Sequence, residues 1–348
     1  MTGRRSPFVI GDHRIAPGSR LTVDLPVSVL SDHTPVALSV HVVNGSRPGP
    51  TIFVSAAIHG DEVIGVEIAR RLLRTSSLDS LKGTLLVIPI VNAFGFHSHS
   101  RYLPDRRDLN RTFPGSATGS LAGRLAHLFM SEIVERSDVG IDLHSAAIHR
   151  TNMPQIRISP SKQQTLDLAR AFGAPVILTS RLREGSLRMA AQHVGTDVLL
   201  YEAGEGLRFD EMAIRAGVSG ILRVMRSLGM VGRKGISKPK VPSIRARSST
   251  WERSPAGGLL RAFKTTGDLA APGDVLGIVS DPFGEVESDV VTEQGGLIIG
   301  RTNLPVVNEG DGLFHLASVA HRDDPEATID SLASQLEADP MFDEDEII

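Results

Sequence analysis

The stretch Thr51–Glu62, TIFVSAAIHGDE, constrains this chain's fold more than any other. A β-branched, apolar run of strand length stops at His59-Gly60-Asp61-Glu62, and apolar residues at helical spacing, Ile64, Ile68 and Leu72, follow at once. The pattern predicts a strand, a tight turn and a helix over about Glu62–Arg74, with Arg70, Arg71 and Arg74 near the helix end that favours cations. Because the strand is apolar on both faces, it is expected at the centre of a sheet covered on both sides. The carboxyl end of such a strand is where open α/β sheets bind ligands. His59 and Glu62 stand three apart there, so an imidazole and a carboxylate can converge on one point. With a second histidine they complete the His2Glu set of a catalytic zinc site.

That histidine is expected downstream, at the end of another strand. Leu85–Val91 (LLVIPIV) and Val139–Ser145 (VGIDLHS) both read as buried strands, and the second carries His144 at its carboxyl end. Parallel strands gather their carboxyl ends on one edge, so His144 is the third candidate ligand, and Asp142, on the same face, can orient its ring. A single histidine after a strand is more often a hydrogen-bonded core residue, which is how His97, His99, His149 and His193 are read. A fourth buried strand, Val198–Tyr201, ends in Glu202-Ala203-Gly204-Glu205. A carboxylate there is placed to act as general base towards an activated water. Glu202 is the candidate, with Glu205 as the alternative.

Between the second strand and a helix at Leu121–Glu135 lies the charged run SRYLPDRRDLNRTFPG, Ser100–Gly115. A loop this long in a compact domain is usually functional, although a solvated surface loop has the same composition. Arg111 beside Asn110 forms a planar cation next to an amide, a pair suited to clamping a substrate carboxylate. Short alternating segments over Arg20–Val43 read as antiparallel edge strands, Ala171–Thr179 as a helix end feeding a strand, and Phe209–Leu228 as a long amphipathic helix. Together these predict an α/β fold with a mixed, largely parallel sheet and helices on both faces.

With 348 residues, 41% of them hydrophobic and 22% charged, the chain can bury a large core, two domains are expected, and the composition is that of a globular rather than a disordered protein. Its net charge of −3 gives no basic face for nucleic acid or an anionic membrane, and neither is expected as a partner. The absence of cysteine excludes a disulfide framework and thiolate ligands, leaving His, Asp and Glu to hold any metal. Gly11-Asp12-His13-Arg14 interrupts the N-terminal stretch before it could form the apolar part of a signal peptide, so a cytoplasmic protein is expected. A homo-oligomer is left open.

HGDE at 59–62, DLNR at 108–111 followed by Phe113-Pro114-Gly115, DLHS at 142–145 and Glu202-Ala203-Gly204 occur in the order of one known family. Over about Thr51–Leu228 the chain resembles the succinylglutamate desuccinylase/aspartoacylase family, which is related to the zinc carboxypeptidases. The resemblance implies a zinc carboxypeptidase-like fold and a deacylase that cleaves the amide bond of a small N-acyl, carboxylate-bearing substrate. It implies one Zn2+ per chain on His59, Glu62 and His144, Glu202 as the catalytic carboxylate, and Asn110 with Arg111 on the substrate. It also implies an arginine that polarises the scissile carbonyl; Arg101 matches best, and the spacing leaves Arg106 and Arg107 as rivals. A zinc carboxypeptidase acting on peptides would use the same metal and base. A non-catalytic ligand-binding homologue would have lost one of them.

These readings divide the chain into a catalytic domain over 1–240, a basic, Pro- and Ser-containing linker over 241–255, a small β domain over 256–320 and an acidic tail over 321–348, expected to be a loosely held helix or disordered. The β segments resemble the barrel-sandwich hybrid of biotinyl and lipoyl carrier domains, which also occurs appended to members of this family. Carrier function needs a lysine at a hairpin tip. The turn Asp281–Glu285 has none, so a structural or substrate-gating role is expected.

Overall fold

The computed structural model describes residues 5–159, 162–320 and 325–337. A short hairpin, β1 (Phe8–Ile10) and β2 (His13–Ile15), precedes β3 (Ser19–Val29), β4 (Pro35–Asn44) and β5 (Arg47–Ala56). Next come α1 (Ile64–Leu73), β6 (Lys82–Ile88), α2 (Ala93–His97), α3 (Leu121–Glu132), β7 (Val139–His144) and β8 (Arg150–Ile158). These lead to α4 (Gln163–Phe172), β9 (Val176–Thr179), α5 (Leu187–His193), β10 (Asp197–Gly204) and α6 (Glu211–Ser227). The remaining strands are β11 (Ile244–Ala246), β12 (Ser249–Arg253), β13 (Gly258–Ala262), β14 (Leu269–Ala270), β15 (Val275–Ser280), β16 (Glu287–Val291), β17 (Gly296–Thr302), β18 (Val306–Val307) and β19 (Gly312–Ala317), with α7 (Pro325–Glu337) last.

One large sheet runs in the order β12-β19-β17-β8-β10-β7-β5-β6-β4-β3. Strand β5 pairs in parallel with β6 on one side and β7 on the other, and β7 pairs in parallel with β10. The two-faced apolar pattern of β5 now has a cause. Ile52, Val54 and Ala56 enter a core with α1, α4 and α6, while Phe53 enters a second core with α3 and α5. Local chemistry fixes the helix starts: Ser120 accepts from the Gly123 amide before α3, and Asp210 accepts from the Ala213 amide before α6. Among the described residues no helix is long and apolar enough to cross a membrane.

Several expectations change in detail. Parallel pairing joins β6-β5-β7-β10 and, beyond β8, β8-β9-β11, whereas β3 with β4, β4 with β6, β8 with β10 and β17, β19 with β17 and β12, and β14 with β17 pair antiparallel, so the sheet is mixed rather than largely parallel. The antiparallel majority arises because β17, β19 and β12 extend the same sheet past β8. A separate four-stranded sheet, β16-β15-β13-β18, packs over β17 and β19 through Leu276, Val279 and Val290 against Ile298, Phe314 and Leu316. Within 241–255, where a linker is expected, β11 pairs with β9 and β12 with β19. Within the acidic tail, α7 buries Leu332 and Leu336 in the core that contains α6, and the Gln335 amide donates to the Lys238 carbonyl at 2.9 Å. The rest of that tail, 321–324 and 338–348, lies outside the described residues.

Candidate active site

The turn after β5 brings His59 and Glu62 to the carboxyl edge of the sheet. Its second residue has to be glycine, because a Cβ on Gly60 would overlap the backbone of Gly95 and Phe96 at α2. Strand β7 ends beside β5 and delivers His144. Nδ1 of His59 lies 2.7 Å from Glu62 Oε1, and Nδ1 of His144 lies 2.7 Å from Glu62 Oε2. All three residues are buried, and one ligand atom from each lies within 4.8 Å of the others.

The outer ring nitrogens are held as well. His144 Nε2 meets Asp142 Oδ2 at 2.8 Å, and Asp142 Oδ1 accepts the Ser55 hydroxyl at 2.8 Å from the facing position of β5. His59 Nε2 meets Asp108 Oδ1 at 3.1 Å, and Asp108 Oδ2 accepts from Arg101 Nε and Nη2 at 3.1 and 3.0 Å. Burial alone would lower both imidazoles, but Glu62 and Asp108 around His59, and Asp142 and Glu62 around His144, hold them above their ordinary value. Burial would raise Glu62, yet the two imidazoles push it far below the usual carboxylate range. Asp108 is depressed in the same way, burial being outweighed by His59 and Arg101.

These residues could hold a metal ion. Two imidazoles and a carboxylate converge, and each ring donates its far N–H to another carboxylate, the outer arrangement that orients histidine ligands.

Of the three rival arginines, Arg101 reaches the cluster, with Nη1 3.4 Å from Glu62 Oε1. Arg106 and Arg107 are exposed, and Arg107 faces Asp105 at 3.8 Å. Asn110 is buried and its Oδ1 accepts from the Leu187 amide at 2.9 Å, leaving its amide nitrogen to donate elsewhere. Arg111 is exposed beside it, and its guanidinium pKa is lowered by burial of part of the group, with Arg183 and Arg101 adding to the effect and Asp108 opposing it.

Glu202 sits opposite His144 in the β10–β7 register and therefore on the same sheet face. Asn152 Nδ2 donates to its Oε2 at 2.7 Å, and Arg157 Nη1 lies 3.3 Å from its Oε1. Glu205 is engaged elsewhere. Its Oε1 accepts the His149 amide and its Oε2 accepts Asn303 Nδ2, each at 2.9 Å.

Sequence reasoning missed Arg188, Asn152 and Arg157. Arg188 lies in the first turn of α5, where the helix dipole opposes a cation, and that misfit was the available signal. Its Nη2 donates to Ser180 Oγ at 3.2 Å, while its Nη1 is buried without a hydrogen-bond partner among the described residues. Burial, and after it Arg157, lowers its pKa from 12.5 to about 10, although Glu202 and Asp142 pull the other way. An unpaired buried guanidinium N–H close to two site carboxylates is a ready donor for an anionic ligand. Asn152 and Arg157 carry no local signal, since only strand pairing brings β8 beside β10.

Residues 48–228 match the family described as the succinylglutamate desuccinylase/aspartoacylase catalytic domain. The chain is 27% identical over 297 residues to the N-alpha-acetyl-L-2,4-diaminobutyric acid deacetylase of Halomonas elongata, covering 82% of this chain and 86% of that protein. It is 27% identical over 192 residues to the succinylglutamate desuccinylase of Pseudomonas aeruginosa, covering 50% of this chain and 57% of that one. In fold it is similar to a product-bound ectoine utilization protein from Ruegeria pomeroyi, with a TM-score of 0.77 at 23% identity over 86% of this chain and 95% of the other. A succinylglutamate desuccinylase/aspartoacylase from Rhodobacter sphaeroides gives a TM-score of 0.76 at 22% identity, over 86% and 96% of the two chains.

Proposed function

This chain belongs to the succinylglutamate desuccinylase/aspartoacylase family, and from that premise we propose that it hydrolyses the amide bond of an N-acyl amino acid or a related carboxylate-bearing N-acyl compound. The observation that carries this reading is the convergence of His59, Glu62 and His144. The similarity to a diaminobutyrate deacetylase along most of both chains supports a small N-acyl substrate.

His59, Glu62 and His144 would hold one zinc ion per chain. Bound there, zinc supplies a Lewis acid and activates water near neutral pH. Asp108 and Asp142 each meet the far ring nitrogen of one histidine and would orient that ring for a metal. Glu202 takes the water proton as general base and returns it to the nitrogen of the departing amine. Arg101, already aimed past Glu62, stabilises negative charge as it builds on the acyl oxygen. Asn110 and Arg111 grip the substrate carboxylate, and Arg188 offers a further donor from the floor of the site. The products are a carboxylic acid and a free amino compound.

The test is metal analysis of the purified protein beside hydrolysis of a panel of N-acetyl, N-succinyl and N-formyl amino acids and short peptides. Close to one zinc per chain is expected, with turnover of an N-acyl amino acid that chelation abolishes and zinc restores. His144→Ala should lose both metal and activity. Full occupancy in that variant, or peptides cleaved in preference to every N-acyl amino acid, would overturn the proposal.

A further inference from the structure

Glu202 does not hold its own position: both of its carboxylate oxygens are engaged by β8. Asn152 Nδ2 takes Oε2 at 2.7 Å, and Arg157 takes Oε1 at 3.3 Å. The other edge of β8 is covered by β17, which pairs Gly300 with Asn152 and Thr302 with Arg150. Two contacts lead from β17 back to the carboxylate. At one, a Cβ on Gly300 would overlap Asn152 Oδ1, so the absence of a side chain at 300 leaves room for the amide that holds Glu202. At the other, the Ile299 carbonyl accepts Gln155 Nε2 at 3.2 Å, and Gln155 Oε1 accepts Arg157 Nε at 3.3 Å. Gln155 is fully buried and faces Glu202 in the β8–β10 register.

We propose that β17, through Gly300 on Asn152 and Ile299 on Gln155 and Arg157, is the template that aims the Glu202 carboxylate, making Asn152, Gln155 and Gly300 positioning residues for the reaction. The inference rests on the reading of Glu202 as general base. It gives the C-terminal strands a part in catalysis, beyond the structural or gating role expected from sequence. A carboxylate with one free oxygen can rotate, and proton transfer needs it within hydrogen-bond reach of the attacking water. Two donors, Asn152 in the space that Gly300 leaves and Arg157 held through Gln155 from the Ile299 carbonyl, remove that freedom before substrate arrives.

The experiment is a double-mutant cycle on the full chain, reading kcat, KM, metal content and melting temperature. Methyl addition in Gly300→Ala meets the Asn152 amide, the end of a side chain, most closely and presses less on the Thr151 carbonyl at 3.1 Å, so the melting temperature reports any disturbance of the backbone pairing. Gly300→Ala and Asn152→Ala are each expected to lower kcat by roughly tenfold to a hundredfold, the range for a lost hydrogen bond to a charged group, with KM and metal content unchanged. In the Asn152→Ala background Gly300→Ala should cost nothing further, since no amide remains to displace. An undiminished second loss, or an effect on KM alone, overturns the proposal, because the C-terminal strands would then act by another route. If Gly300→Ala fails to fold, Asn152→Ala and the near-isosteric Gln155→Met carry the test, and unchanged kcat in both overturns it. Glu202→Gln separates the two levels. Near-normal turnover there removes the base assignment itself, whereas a dead Glu202→Gln beside fully active Asn152 and Gln155 variants removes only the template.

Discussion

Replacing Arg188 by methionine should make the protein more stable and a poorer enzyme. Arg188 carries a charge for which burial and Arg157 offer poor accommodation, and one of its guanidinium nitrogens is buried without a partner among the described residues. The fall from 12.5 to about 10 corresponds to roughly 3 kcal/mol of cost to the charged form, an upper bound. Partial exposure reduces that to about 1–3 kcal/mol. An arginine whose folded-state pKa lies below its unfolded value destabilises the fold wherever it is charged in both states. The cost therefore stands in full at pH 7 and fades only as pH climbs from about 10 towards 12.5. Methionine keeps the length of the aliphatic stem and gives up one bond to Ser180, which is partly exposed and can bond water. At about 2–4 °C per kcal/mol for domains of 150–250 residues, the zinc-loaded variant should melt a few degrees higher at pH 7 by scanning calorimetry. Its KM for an N-acyl amino acid should rise about tenfold or more, the scale of a lost charge-assisted hydrogen bond. A lower melting temperature with KM unchanged would show that Arg188 holds the fold together and does not meet the substrate.

Three other substitutions separate the remaining roles. Glu202→Gln should retain its metal while kcat drops by about 100-fold or more; steady-state kinetics beside Glu205→Gln decide the base, and an active Glu202→Gln with a dead Glu205→Gln would reverse the assignment. Asp142→Asn replaces the carboxylate that meets both the His144 ring and the Ser55 hydroxyl with a neutral amide that has a single acceptor oxygen, so zinc affinity in a chelator competition should weaken by about 10- to 100-fold, and an unchanged affinity would refute that role. Arg111→Lys should reduce kcat/KM by an amount equivalent to about 1.5–3 kcal/mol on an N-acyl amino acid and remove the preference for the acid over its carboxamide. Equal wild-type rates on acid and amide would sink the clamp.

The core of the site was legible because it lies at strand ends and obeys a period of two. In β7 the residues Val139, Ile141 and Leu143 enter one hydrophobic core, so Gly140, Asp142 and His144 must face the other side. The sequence VGIDLH therefore already announces a face that turns from apolar to ionisable along its length. Arg101 was harder to assign because a loop has no period. What separates it from Arg106 and Arg107 is the ion pair with Asp108, a contact that depends on the folded path of that loop. The residues holding Glu202 were not legible at all. Asn152 and Gly300 are 148 positions apart (300 − 152), and neither is unusual in its local segment until β17 docks on β8.

The same period explains why the site forms where it does. At the foot of the sheet Phe53 fills the space over Gly140, whose Cβ would meet the phenyl ring, and Val198 stands beside Gly140 in the register. Two residues higher the row reads Ser55, Asp142 and Leu200, and one step further it reads His144 and Glu202. One face of three adjacent strands thus passes from the α3 and α5 core to a set of paired ionisable groups within a single strand length. The apolar foot pins the register, since a slip of one residue would drive Asp142 and His144 into the opposite hydrophobic core. Burial of Phe53 and Val198 therefore determines which carboxylates and imidazoles meet at the top.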